Sequence, residues 1–433
     1  MKILIVSYYE LKDALLCVAN ALRELGYTVT NYPLFQMAYD VHSRRSDYAE
    51  HFAHHIRLEA PDIMVWWFTN IPASVIESLR TSALQVHPSM FWLWFNWDDP
   101  WMWFNKELEV DKKCAYFDCV AATSSAMLKK YEACGTKRAI FAMPGFDPNI
   151  HYPVAATPKR YDVSICCTNL YDNGTFTDQY VPRKQLIDDL VQTPGIEFAL
   201  FGPQHLKASY PQHYRGLVSY SDTNCVFNES RIVLCTHVCH SYEHYMNERT
   251  VLALGAGSLL LVDAVKGMED IVPRDCYVVL DRVNYIAQIQ QLLASEPHDT
   301  IKRNGYEWAL ANATWTNTAK RLHEQIVTHF FDPVFYRETY AAADHLNNEE
   351  LLQHCITAAT PKLCCPERKK TPSSMNVVPF KIDFESWCRI NAVLAHCQTP
   401  ETLQEFQQII DSNSNLDVNR ILEAHFAMKE QFN

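Results

Sequence analysis

The chain has no excess of positive charge. Against 50 acidic residues it sets 38 lysines and arginines, for a net charge of −12 over 433 residues. It therefore lacks the basic footprint that phosphate neutralisation demands of a nucleic-acid groove. Long apolar runs are missing too. The longest nearly uncharged one, Val251 to Val262, falls short of the roughly 20 residues of a bilayer-spanning helix. The apolar opening Met1 to Val6 soon meets Tyr8, Tyr9 and Glu10, too early for the core of a secretory leader. No membrane crossing is expected. The 15 cysteines include no Cys-x-x-Cys pair, and their odd number and scatter fit reduced, buried thiols in a cytoplasmic protein rather than a disulfide scaffold. What remains is a chain 48% hydrophobic and 12% aromatic, ample for sizeable cores and too long for one of them.

The pattern of apolar residues is that of an α/β protein. Ile3 to Val6 reads as a strand, Leu11 to Leu25 as a helix ended by Gly26, and Tyr27 to Thr30 as the next strand. Strand-like runs recur at Ile63 to Phe68, Met90 to Phe95 and Cys119 to Thr123, with helical spacing near Ala73 to Arg80 and up to Tyr131. A second alternating series runs from Tyr161 to Leu280. Such alternation predicts parallel sheets covered by helices on both faces. Between the two series, Met143 to Lys159 carries four prolines and Gly145, which predicts the hinge there. The expected organisation is a domain over 1–150, a second over 151–328 and a helical appendage over 329–433, the last interrupted by a loop from Pro361 to Pro379.

Ligands of open parallel sheets collect at the carboxyl ends of the strands, where helix N-termini attract phosphate. The segment His237 to Asp263 fits that place: strand end, polar loop, a helix starting near Met246 to Arg249, a turn with Gly255 and Gly257, and a buried strand. Asn247, Arg249 and Thr250 then lie at a helix N-terminus, and the guanidinium of Arg249 can fork onto a diphosphate. A helix cap with a surface ion pair accounts for the same residues equally well.

Several stretches resemble one known group. Tyr245 to Val262, with Ser230 to Leu234 before it and Thr314 to Leu322 after it, is similar to the C-terminal half of GT-B glycosyltransferases, in particular those related to the spore maturation protein CgeB. RTVLALGAGSLLLVD follows that group's helix–turn–strand segment. YDVSICCTNL (Tyr161 to Leu170), Arg183, LFGPQ (Leu200 to Gln204) and WFNWDDP (Trp94 to Pro100) look like its other anchors. The resemblance implies two facing Rossmann-like domains and transfer of a sugar from a nucleoside-diphosphate donor to a hydroxyl acceptor, without a metal or other cofactor. It implies donor contacts at Asn169, Arg183, Gly202, Tyr245, Met246, Asn247, Glu248, Arg249 and Thr250. Leu252 stands where retaining relatives carry a ribose-binding glutamate, with Glu248 on the same turn as its candidate substitute; Cys167 stands where the group has a glycine.

In the first half, Asp98 and Asp99 follow an aromatic strand and precede Pro100. Adjacent carboxylates there must face a cleft or a turn, as base or electrostatic stabiliser in transfer, or as the opening of an Asp-Pro turn. Trp92, Trp94, Trp97, Trp101 and Trp103 offer faces to a sugar, although alternate ones must pack inside. The group His51, His54 and His55 suits a solvated helix face, and Cys235, His237, Cys239, His240 and His244 crowd one loop without metal-ligand grammar. FDPVFYRETY (Phe331 to Tyr340) resembles a module appended to polysaccharide enzymes and equally suits a helix start with Asp332 as its cap. Rival readings of the whole are a catalytically degenerate nucleotide- or glycan-binding protein, a transferase acting on modified DNA bases, and an epimerase.

Overall fold

The computed structural model describes residues 1–7, 10–37, 47–67, 71–97, 101, 109–168, 170, 183–295, 297–339 and 346–356. Asp98, Asp99, Asn169, Trp103 and the stretch from Pro361 to Pro379 lie outside them. The first half runs β1 (Lys2–Ser7), α1 (Asp13–Glu24), β2 (Thr28–Pro33), α2 (Leu34–Met37), α3 (Tyr48–Glu59), β3 (Ile63–Trp66), α4 (Ala73–Val86), β4 (Phe91–Asn96), α5 (Val110–Cys114), β5 (Cys119–Ala122), α6 (Leu128–Ala133) and β6 (Ala139–Phe141). Its sheet has the order β2-β1-β3-β4-β5-β6, with every pairing parallel. Helices cover both faces, so β3, β4 and β5 are buried along their whole length and read as continuous apolar runs.

The second half contains β7 (Tyr161–Cys166), α7 (Arg183–Gln192), β8 (Phe198–Phe201), α8 (Leu206–Ser209), β9 (Tyr214–Gly216), α9 (Thr223–Glu229), β10 (Ser230–Cys235), α10 (Glu248–Gly255), β11 (Leu260–Val262), α11 (Met268–Ile271), β12 (Val278–Val279), α12 (Tyr285–Ala294) and α13 (Asp299–Asn312). Its strand order is β12-β11-β10-β7-β8-β9, again parallel throughout. From β7 the chain winds to one side and from β10 to the other. Between those adjacent strands lies a topological switch point, the usual ligand crevice of such sheets.

Two crossings join the halves, side by side. Phe146 of the linker accepts from Trp315 N at 3.0 Å and donates to Ala313 O at 3.0 Å. Gly145 permits this approach: a Cβ there would meet Trp315 N at 2.7 Å and the Thr314 carbonyl carbon at 2.9 Å. The second crossing feeds α14 (Trp315–Phe330), capped by the Thr314 side chain, which returns to the first half. Its Trp315, Ala319, Leu322 and Ile326 share a core with Ile3, Ile5, Val18 and Leu22. Beyond it α15 (Pro333–Thr339) and α16 (Asn348–Ile356) bury Tyr336, Leu351 and Cys355 against Val327. Asp332 accepts from Val334 N at 3.0 Å, as a cap at that helix start does. Among the described residues no helix is long and apolar enough to cross a membrane, and the cysteines there are free thiols.

Candidate functional site

The carboxyl ends of β7 and β10 form the floor of the switch-point crevice, and α10 points its N-terminus at them. Asn247 caps this helix in extended conformation, its Oδ1 accepting from Thr250 N at 3.3 Å. The Nδ2 of Asn247 donates to Thr236 O at 2.8 Å, which ties the helix start to the end of β10. The N–H groups of Glu248 and Arg249 find no acceptor among the described residues, as expected of a first turn. Their partial positive charge adds to the helix dipole.

Arg249 stands over this turn, half-buried and without a hydrogen bond or ion pair among the described residues. Its guanidinium lies close enough to lower the Cys166 and Cys235 thiols, although burial dominates and pushes both up to about 12. Arg183 approaches from the start of α7: buried, it donates from Nε to Thr236 Oγ1 at 2.7 Å and from Nη2 to Thr236 O at 3.2 Å. Two guanidinium groups thus flank the end of β10.

Glu248 feels charges from both halves. Its Oε1 is buried without a partner, and burial first, with the charge of Asp13 in the first half adding, raises its carboxyl to about 8 against the pull of Arg249. Near neutral pH burial thus favours the protonated carboxyl. Leu252 is packed in the core of the second half and offers nothing to a ligand. Met246 and Thr250 are equally buried, and Tyr245 packs with Val238 and Cys239. At Gly202 a Cβ would lie 2.2 Å from Cys167 O, so this glycine lets the end of β8 close onto β7.

The halves meet above the crevice. Ser124 Oγ donates to Glu243 O at 3.0 Å, Ser125 Oγ and His244 Nδ1 lie 2.8 Å apart, and Tyr242 Oη donates to Trp101 O at 3.1 Å. On the facing side, Trp92 and Trp94 are core residues, whereas Trp97 is half-buried and packs edge-on against Trp67 and Trp315. Trp101 sits under Lys130 Nζ at 4.2 Å. Of the histidine helix, His51 and His55 lie against Tyr32 rather than in water, and His54 is exposed. In the histidine-rich loop, His240 and Arg282 both approach the buried Asp263, at 2.9 and 2.8 Å. Among the described residues the one trio of possible metal ligands, Glu243, His244 and Asp270, takes only His244 from that cluster. Sequence reasoning set His237 aside with that cluster; its place at the end of β10, visible in the spacing, was the available signal.

Two facing parallel α/β halves and a C-terminal helix that returns to the first of them make up the GT-B glycosyltransferase fold. Residues 183–324, from α7 into α14, match the family described as glycosyl transferase-like. Among solved structures, the chain is similar to a glycosyltransferase from Rickettsia africae (12% identity, TM-score 0.51, 76% of this chain and 98% of that one). It is also similar to Anabaena Alr3699/HepE in complex with UDP-glucose (12%, 0.52, 76% and 100%). A third is an alpha-glucosyltransferase in complex with UDP (10%, 0.54, 75% and 99%). No curated protein sequence matches.

Proposed function

We propose that the chain transfers a sugar from a nucleoside-diphosphate donor to an acceptor hydroxyl of a glycan, protein or small molecule in the cleft between its halves, in the cytoplasm and without a metal or other cofactor. The observation that carries this is Arg249: a guanidinium unpaired among the described residues, beside two N–H groups of a helix N-terminus likewise unpaired among them, at a switch point, inside the matched segment. This is an anion site of the size and polarity of a diphosphate. Arg249 and α10 bind the leaving diphosphate and stabilise the charge that develops as the sugar–oxygen bond breaks. Arg183 holds the end of β10 in place, and protonated Glu248 turns a donor hydrogen bond toward the sugar. Support for a uridine nucleotide comes from similar folds in complex with UDP or UDP-glucose. On the acceptor side the half-buried ring of Trp97 supplies an apolar face, and Asp98 and Asp99, next in the chain, supply the base.

Two rivals have an observation each. Leu252, buried where relatives place a ribose-binding carboxylate, favours a protein that binds nucleotide or glycan without turnover. A similar structure is an alpha-glucosyltransferase in complex with UDP and DNA, whereas the net charge of −12 disfavours a DNA acceptor. A thermal-shift screen against nucleoside diphosphates and nucleotide sugars decides among them, because a ligand bound only by the folded state raises the melting temperature. A shift with one nucleotide family, followed by sugar transfer or slow donor hydrolysis, is the expected result. A shift without any turnover moves the reading to the binding protein, and no shift at all sinks the donor site.

A further inference from the structure

His237 follows β10 directly and lies in the floor of the crevice, 3% exposed. Its Nδ1 accepts a hydrogen bond from Asn247 N at 3.2 Å, so in the neutral ring the proton must sit on Nε2. That Nε2 is buried without a partner among the described residues. Both arginines of the site act on the ring: the guanidinium groups of Arg183 and Arg249, with neighbouring His240, add to burial in holding it well below the ordinary histidine range. An imidazole fixed in one tautomer, with a dry donor among cations, is costly unless something accepts from it. The missing partner must carry an acceptor and tolerate two adjacent guanidinium groups, which describes an anionic oxygen.

We propose that His237 is a donor-binding residue whose Nε2–H bonds a diphosphate oxygen of the nucleotide, beside Arg249 and the first turn of α10. The assignment rests on the nucleotide-donor reading above. The hydrogen bond Asn247 N–His237 Nδ1 makes the ring part of the helix start, so α10, its cap and the imidazole form one rigid cradle. Neutral His237 adds direction without adding charge; the arginines supply the charge.

Titration calorimetry of the purified chain with UDP, ADP, GDP and inorganic diphosphate tests this, on wild type, His237→Leu and His237→Gln. Glutamine places an N–H near the position of Nε2 but, like leucine, loses the Nδ1 acceptor. His237→Leu is expected to weaken the diphosphate that wild type binds by about tenfold, the worth of one hydrogen bond, and His237→Gln by less than about threefold. The ratio of wild-type to leucine-variant affinity should stay constant from pH 6.5 to 8.5, as a neutral donor requires. Equal binding by all three proteins overturns the proposal, as does an equal loss in both variants with lowered melting temperatures, which would make His237 a structural cap. A ratio that collapses as pH rises through 6.5 overturns the neutral-donor assignment. Wild type that binds none of the four probes removes both this proposal and the nucleotide-donor reading, whereas binding unaffected by substitution removes only this one.

Discussion

Arg249 and Arg183 carry the same charge and are expected to fail differently when replaced. Arg249 has no intramolecular partner among the described residues, so Arg249→Ala should leave the melting temperature unchanged while weakening nucleotide diphosphate binding by roughly tenfold or more, the worth of a charge-assisted bond of about 1.5–3 kcal/mol. Calorimetry beside a melting curve reads both, and unchanged affinity would take Arg249 out of the site. Arg183→Ala, by contrast, strips Thr236 of two donors and should lower stability as well as affinity. Glu248 gives a pH signature. In the folded chain its carboxyl keeps its proton up to about 8, and unfolded it releases it near 4.5. Between those values the folded state binds more protons, so its contribution to stability falls as pH rises from 4.5 to 8 and levels off above. Glu248→Gln removes that penalty: its melting temperature should exceed wild type's clearly at pH 8 and hardly at pH 5. An equal gain at both would refute the buried neutral carboxyl.

At the scale of elements, α10 shows how much a local pattern determines. Asn247 before an apolar-periodic run, and glycines at 255 and 257 after it, predict the helix and its turn, and the structure has both, with Gly257 at φ +65°. What the pattern does not contain is the second use of these residues. Gly255 faces the Phe146 ring of the linker, where a Cβ would come within 2.5 Å of it. The N-cap side chain also reaches Thr236 O. Asn247→Ala should therefore cost more than the ~1 kcal/mol of an ordinary cap, measured by denaturant unfolding, because the bond to β10 goes with it. The linker behaves similarly. Prolines mark Met143 to Lys159 as a connector, but only the parallel crossing of Phe146 with Thr314 explains why position 145 excludes a side chain. Gly145→Ala must push back the Trp315 backbone and is expected to cost about 2 kcal/mol or more; a loss under about 0.5 kcal/mol would mean the two crossings separate easily.

For the molecule as a whole, the decisive feature is the return of α14 to the first half. Leu322 is buried with Ile3, Ile5 and Leu22, so the chain closes its first core with residues from beyond its second. Leu322→Ala should cost about 2–5 kcal/mol, and hydrogen exchange should place the lost protection in α1 and β1 rather than in the second sheet. Protection lost mainly from β7 to β12 would contradict that packing. Above the crevice the halves are also joined by hydrogen bonds from the loop that follows β10.

Alternation of apolar strands with helical spacing was enough by itself to determine two parallel α/β halves, a connector between them and a capped helix start before RTVLALG, because period and capping are local properties written in consecutive residues. Tertiary structure alone decided the burial and the partners of the candidate residues. Met246, Thr250 and Leu252 turned inward into the core; Arg249 stayed unpaired among the described residues and Glu248 came under the charge of the first half. His237, unremarkable among neighbouring histidines and cysteines, acquired a fixed tautomer and a donor without a partner among the described residues. Partners, burial and proton affinity are set by groups up to hundreds of residues away in sequence, as where Asp13 acts on Glu248, and no local pattern encodes them.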